Sequence, residues 1–305
     1  MAAPRARYPL TIEGRQVDLT NPDKVFYPET GFTKAQVVDY YVRVAPALLP
    51  HLEDRPLSLK RYPHGVGGAY FYQKQAPEHK PDWLKTTPVW SEERDDDIDY
   101  CLANDLPSLV WLANAADLEM HTFMHKWQDL TRPTQVAFDL DPGPGADALT
   151  CGKVALMLKE RLDAKKLKSF VKVSGSKGVQ MHVPVNTPCT YEDTKRVSKG
   201  LAFELAKEFP KEVTALMRKE LREGKVFIDW SQNDEHKTTV CVYSMRGTPT
   251  PSIAAPLTWD ELTDAVLSED IKRLRFTPEK VLARVKKMGD LFEDVETLKQ
   301  KLPKG

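Results

Sequence analysis

Residues Thr134-Gln-Val-Ala-Phe-Asp-Leu-Asp-Pro-Gly-Pro-Gly145 constrain this chain more than any other stretch. An apolar, strand-like run ends in Asp139 and Asp141, and residues two apart on a strand share a face. Pro-Gly-Pro-Gly then stops the strand and turns the backbone sharply. Two carboxylates on one face repel each other, which is tolerable in water or around a cation. Oxygen ligands from one strand are a common way to hold Mg²⁺ or Mn²⁺ beside substrate phosphates. A bare Asp-x-Asp, however, is more often a solvated strand end before a turn. The rest of the chain must decide.

At 305 residues, the chain can form one large domain or two smaller ones. A 41% hydrophobic and 29% charged composition suits a soluble globular protein. No apolar run is long enough to cross a bilayer. Met1-Ala-Ala-Pro-Arg-Ala-Arg7 has no apolar core behind it and does not read as a secretory signal. Cys101, Cys151, Cys189 and Cys241 show no Cys-x-x-Cys spacing. They are expected to be buried or free thiols in a reducing cytoplasm, not a zinc site or disulfide framework. The 44 basic and 44 acidic residues cancel, so a polyanion partner requires the basic ones to be gathered on one face.

The pattern is mixed. Thr33 reads as the N-cap of a helix through Val37, Val38, Tyr41, Val42 and Ala45, kinked or ended at Pro46 and closed by Pro50 at the latest. Leu57–Tyr62 and Ala69–Lys74 alternate like strands. Apolar residues from Leu106 to Met124 fall at helical spacing (Leu109, Leu112, Ala113, Ala116, Met120), and helices are expected at Lys153–Lys165 and Tyr191–Glu208. Short strand-like runs occupy Val136–Leu140, Ser169–Val173, Val179–Val185, Val226–Trp230 and Thr238–Tyr243. From Trp259 onward the chain reads as mostly helical. The expected class is α+β, with a central mixed or antiparallel sheet flanked by helices.

Two further segments bear on the aspartates. Ser174-Gly-Ser-Lys-Gly178 is a small cationic loop between two strand-like runs. Its backbone N–H groups, hydroxyls and Lys177 suit a triphosphate, though a polar hairpin is an equally good reading. It lacks the P-loop spacing. Gln180 and His182 follow on one strand face. Lys225-Val-Phe-Ile-Asp-Trp-Ser-Gln-Asn233 ends a strand at Asp229, a third carboxylate that could complete a two-metal set for in-line displacement at phosphorus.

In this order and spacing, these segments resemble the polymerase domain of bacterial DNA ligase D, in the archaeo-eukaryotic primase superfamily. Leu19-Thr-Asn-Pro-Asp-Lys-Val-Phe-Tyr-Pro28, Arg55-Pro-Leu-Ser-Leu-Lys-Arg-Tyr-Pro63, Ala113-Asn-Ala-Ala-Asp-Leu-Glu-Met-His121, Lys237–Arg246 and Ala255–Leu262 carry the resemblance further. It covers roughly positions 8–295 of what is expected to be a single primase-polymerase domain over 1–305, with flexible termini. No ligase or phosphoesterase sequence is attached, so a stand-alone polymerase or an excised domain is expected.

The resemblance implies template-directed nucleotide addition in non-homologous end joining, often with ribonucleotides, and two Mn²⁺ (or Mg²⁺) ions per site. It implies that Asp139 and Asp141 bind both metals and that Asp229 completes the catalytic one. The primer 3′-OH then attacks the α-phosphate of an NTP or dNTP. Ser174, Lys177 and Arg246 match positions around the nucleotide. Lys60 and His121 match further pocket positions, and Gln232 and Asn233 are close enough in sequence to Asp229 to reach the same site. Relatives mostly carry His where Gln180 stands. Here His182 falls one strand-face position later and is expected to line the pocket still. His121 and His125, i and i+4 on a predicted helix, lack a supporting zinc ligand, so His121 is read as a pocket residue and His125 as structural.

For gapped DNA, Lys24 and Lys34 match positions that hold the 5′-phosphate, with Lys34 at a helix start. Phe71 and Tyr72 match template-stacking positions, one of them expected to be exposed and the other core. Arg222 is a further DNA-contact candidate. Ku and a DNA ligase are the partners the resemblance implies, with a cytoplasmic, nucleoid-associated location and no membrane. A primase that starts chains de novo, or a non-catalytic end-bridging module, is the alternative.

Overall fold

The computed structural model describes residues 7–303. The N-terminal residues read above for a signal, and the extreme ends expected to be flexible, lie outside the described residues apart from Arg7.

Two six-stranded sheets carry the molecule, where one central sheet was expected. The first runs in the order Val213–Thr214, Val226–Asp229, Gln135–Pro142, Val179–Pro184, Phe170–Val173, Pro256–Leu257. All its pairings are antiparallel except that of Val213–Thr214 with Val226–Asp229. The second runs Thr238–Val240, Asp117–Phe123, Leu57–Arg61, Asp96–Cys101, Thr86–Ser91, with Phe71–Gln73 paired to Leu57–Arg61. The α+β class stands.

Seven α-helices flank these sheets among the described residues: α1 Lys34–Leu52, α2 Leu106–Asn114, α3 Ala148–Ala164, α4 Tyr191–Glu208, α5 Trp259–Leu267, α6 Pro278–Met288 and α7 Glu293–Thr297. Their starts are written in the sequence. Thr33, Asp147, Thr190 and Thr258 each accept a backbone N–H at N3 in a reciprocal capping box. Helices α3 and α4 pack on the Gln135–Pro142 strand, and Phe138 and Leu140 enter the core between them. One contiguous apolar cluster, from Val17 to Val295, draws on both sheets.

Two segments depart from the sequence pattern. Helix α1 runs through Pro46 and Pro50 to Leu52. Both prolines lie on its exposed face, and the carbonyls four residues earlier belong to exposed Val42 and Pro46. Water can take up those unmatched carbonyls, so the helix survives the lost bonds. The expected helix over Leu106–Met124 instead ends at Asn114, and Asp117–Phe123 is a strand. Ala116, at φ 73°, makes the break in the left-handed region. His121 and His125 therefore sit on two successive strands and never share a helix face.

Candidate active site

The antiparallel register places Asp139 opposite Asp229 on one side and Gln180 on the other. Residues opposed in antiparallel strands point to the same face. The face carrying Asp139 and Asp141 thus also carries Asp229 and Gln180. Asn233 locks this arrangement. Its Oδ1 accepts from Ala137 N at 2.9 Å and its Nδ2 donates to Ala137 O at 2.7 Å, which ties the turn after Asp229 to the strand before Asp139.

The electrostatics match crowded carboxylates. Burial and the charges of Asp141 and Asp229 lift Asp139 to about 7, against a hydrogen bond from Gln180. Burial and Asp229 raise Asp141 as well, against Arg222. Such a pair favours a divalent cation that removes the repulsion. Asp229 is engaged elsewhere: Oδ1 accepts from Ser231 N and Ser231 Oγ at 3.0 and 2.6 Å, and Oδ2 from Gln232 Nε2 at 3.1 Å. Among the described residues, no three His, Cys, Asp or Glu side chains already close around one point. The crowded carboxylates of Asp139 and Asp141 suit a divalent cation by their chemistry, and Asp229 would join them if its carboxylate turned from its own turn toward the cleft.

A cleft of about 550 Å³ opens over the aspartates between the two sheets. Asp139, Asp141, Ser174, Lys177, Gln180, His121, Tyr72 and Arg246 line it, with Ser176, Lys237 and His236. The 174–178 loop is a tight turn in which Ser174 Oγ accepts from Ser176 N and Gly178 N at 3.3 and 3.1 Å. Gly178 has to be glycine, because a Cβ there would meet the Leu140 carbonyl at 2.4 Å. Lys177 is exposed at the loop tip.

Glu119, which sequence reasoning passed over, is the hub of the opposite wall. Its Oε1 accepts from Tyr62 Oη at 2.8 Å, Gly247 N at 3.0 Å and Lys60 Nζ at 3.3 Å. Its Oε2 lies 3.1 Å from Arg246 Nε and 3.2 Å from His121 Nε2. Burial would raise Glu119, but His121, Arg246 and the Gly247 N–H hold it well below the usual carboxylate range. Burial in turn draws His121 down, against the pull of Glu119. One buried carboxylate thus orients Lys60, His121 and Arg246, three of the residues singled out for the nucleotide.

Other expected site residues fall elsewhere. His182 shares a face with Gln180 but is 4% exposed and does not line the cleft. Its Nδ1 pairs with Gln135 Oε1 at 2.8 Å and its ring packs edge-on to Phe292. The strand carries it past the cleft into the core beside α7. Gln232 donates to Asp229 and does not line the cleft. Arg222 stacks over the Phe227 ring at 3.7 Å and donates to Met217 O. Phe71 and Tyr72 are both exposed, at 46% and 55%, where one was expected to be core. Their three-residue strand pairs with Leu57–Arg61 at the sheet margin, which leaves both rings accessible: Tyr72 meets His121 edge-on at the cleft, and Arg61 lies over Phe71. His125 is buried on Tyr191 Oη. The four cysteines are free thiols, all but Cys189 buried.

Lys24 and Lys34 line a separate cavity of about 610 Å³ with Arg61, Asn21, His64 and His79. Their ammonium groups hold backbone carbonyls, Lys24 that of Pro63 and Lys34 that of Thr20, both at 2.5 Å.

A family model described as LigD, primase-polymerase domain, matches residues 33–292. The chain belongs to the LigD primase-polymerase family. Members of this family are polymerase domains of the nucleotidyltransferase class. The chain is 38% identical over 95% of its length to the multifunctional non-homologous end joining protein LigD of Mycolicibacterium smegmatis, of which it covers 38%. It is 32% identical over 92% of its length to the bifunctional LigD of Bacillus subtilis, of which it covers 44%. The chain therefore spans about two fifths of the length of the curated relatives it matches. Its fold superposes with a TM-score of 0.85, at 36% identity, on the polymerase domain of Mycobacterium tuberculosis ligase D solved in complex with DNA, covering 93% of this chain and 99% of that one. Among the described residues no helix is long and apolar enough to cross a membrane.

Proposed function

We propose that this chain adds nucleotides to a primer 3′-OH, under template direction, at gaps and broken ends of DNA during non-homologous end joining. The observation that carries this reading is the register that sets Asp139 between Asp229 and Gln180, under a cleft whose far wall carries Arg246 and His121. Asp139, Asp141 and Asp229 would hold two Mn²⁺ or Mg²⁺ ions, which when bound activate the primer hydroxyl and neutralise the triphosphate and leaving pyrophosphate. Lys177 and Arg246 take the phosphates as cations, with Ser174 shaping the loop that carries Lys177. Lys60 and His121, both held by Glu119, and Gln232 beside Asp229 stand at the nucleotide's margins. Little covalent chemistry falls to the protein, so positioning and charge carry the rate. A ribose 2′-OH both donates and accepts, and a cleft lined by hydroxyls and His121 suits ribonucleotides.

The Lys24 and Lys34 cavity is assigned to the 5′-phosphate across a gap, Phe71 and Tyr72 to template bases, and Arg222 to the DNA backbone. The main apolar cluster, which runs from Val17 to Val295 and draws on both sheets, supports one domain across the chain. Ku, a DNA ligase and a nucleoid setting follow from the end-joining role.

Incorporation on a gapped duplex, with ribo- and deoxyribonucleotides compared in Mn²⁺ and Mg²⁺, tests the proposal. Asp139→Ala is expected to abolish extension by at least ~10³-fold while DNA binding persists. Full activity in that variant sinks the metal assignment. Equal affinity for gaps with and without a 5′-phosphate would remove Lys24 and Lys34 from their role. Synthesis on single-stranded template without primer would favour a primase.

A further inference from the structure

Lys172 lies outside every segment that the sequence marks for chemistry, yet it is 1% exposed. Lysines are seldom so buried unless the amine is fully engaged. Lys172 stands on the Phe170–Val173 strand, directly opposite Gln180. Its Nζ donates to Gln180 Oε1 and, at 2.9 Å, to the Val240 carbonyl. Gln180 Nε2 then donates to Asp139 Oδ1 at 3.1 Å.

The direction of this chain of bonds is fixed at both ends. With Lys172 charged and Asp139 ionised, the ammonium only donates and the carboxylate only accepts, so the amide turns its oxygen to Lys172 and its NH₂ to Asp139. Burial draws the Lys172 amine down to about 7, and a neutral amine still has two N–H groups for the same two acceptors. Val240 belongs to the second sheet, where it pairs with His121. Lys172 thus joins the strand bearing Asp139 to the sheet bearing the nucleotide-side residues.

We propose that Lys172 is a positioning residue for the metal-binding Asp139, acting through Gln180 and holding the two sheets in register across the cleft. This rests on the two-metal reading above. Gln180 then serves the carboxylate in place of the triphosphate, with one oxygen of Asp139 held and the other left to the cleft. A glutamine suits this relay because its amide donates at one end and accepts at the other at every pH, which an imidazole does only in its neutral form.

The test is Mn²⁺ binding without DNA or nucleotide, read from the electron paramagnetic resonance of free Mn²⁺. Gln180→Leu and Lys172→Met are each expected to weaken binding ~10-fold, as loss of a partner behind a metal ligand does. The double variant loses no more than either single one, because both cut the same chain. Incorporation on a gapped duplex then needs correspondingly more Mn²⁺, with kcat recovered at saturating metal. Unchanged affinity in Gln180→Leu, or losses that multiply in the double variant, overturns the proposal. If Lys172→Met does not fold by circular dichroism, Lys172→Gln, which keeps an N–H donor, replaces it. It should then retain more binding than Gln180→Leu, and an equal loss overturns the relay. Asp139→Ala separates the two levels: Mn²⁺ binding that survives it sinks the two-metal reading itself. Binding lost there but untouched in the Lys172 and Gln180 variants sinks only the relay.

Discussion

Glu119 shows what single residues decide in this cleft. Its side chain is 2% exposed, and it faces Lys60, Arg246 and His121 at once. Removing one partner of a buried charge cluster leaves the others uncompensated. Glu119→Ala is expected to lower the unfolding free energy by about 3 kcal/mol, measured by urea denaturation at neutral pH. A loss below about 1 kcal/mol would mean that water replaces the carboxylate and that the cluster is not held by it. Glu119 stands in the Ala113–His121 segment, but nothing local in the sequence says which donors will meet it. Lys60, Tyr62, Arg246 and Gly247 reach it from segments about 60 to 130 residues away. Asp139 and Asp141, by contrast, owe their shared face to strand alternation alone.

At the scale of elements, local rules worked where the tertiary environment agreed with them. The N-cap of α1, the span of α4 and the strand carrying Asp139 and Asp141 were legible because each depends on a few neighbouring residues. The prolines of α1 and the expected continuation of α2 from Ala115 to Met124 show the opposite. Proline in a helix interior costs about 3 kcal/mol relative to alanine, yet proline also stiffens the unfolded chain. Pro46→Ala should therefore stabilise the protein by about 1 kcal/mol, read as a rise in Tm by calorimetry. A fall in Tm would show that Pro46 makes contacts which its exposed position does not suggest. Beyond Asn114, Ala116 and Met120 continue the helical spacing by coincidence. Leu118 and Met120 are the buried, alternating positions of a strand, and Ala116 marks the switch between the two periods.

Across the whole molecule, the C-terminal segment is fastened to α1 by charge. His51 Nε2 lies 2.8 Å from Asp290 and its Nδ1 3.4 Å from Glu296, while Arg55 Nη2 reaches Glu296 at 2.8 Å. Burial alone would lower His51, but hydrogen bonds to the two carboxylates outweigh it and lift the imidazole from 6.5 to about 9. A histidine whose pKa is raised on folding stabilises fully below its unfolded pKa and loses that contribution as pH rises through the folded value. Stability should thus fall between pH 6.5 and about 9, by on the order of 3 kcal/mol. Urea unfolding across that window measures it, and His51→Gln should flatten the slope. A slope identical in the variant would assign the effect to other groups.

By itself the sequence determined the α+β class, the strands that carry Asp139, Gln180 and Asp229, the starts of α1, α2 and α4, the order of the motifs and the pairing of Asp139 with Asp141. These depend on periodicity, caps and turns, which act over a few residues. Only the tertiary structure decided that two sheets face one cleft and that Asp229 stands opposite Asp139. It likewise carried His182 past the site and placed Lys172 behind Gln180. Those outcomes depend on which distant strands pair and in what register. A shift of one residue turns a strand's side chains to its other face, and nothing within a single strand records its partner's alignment.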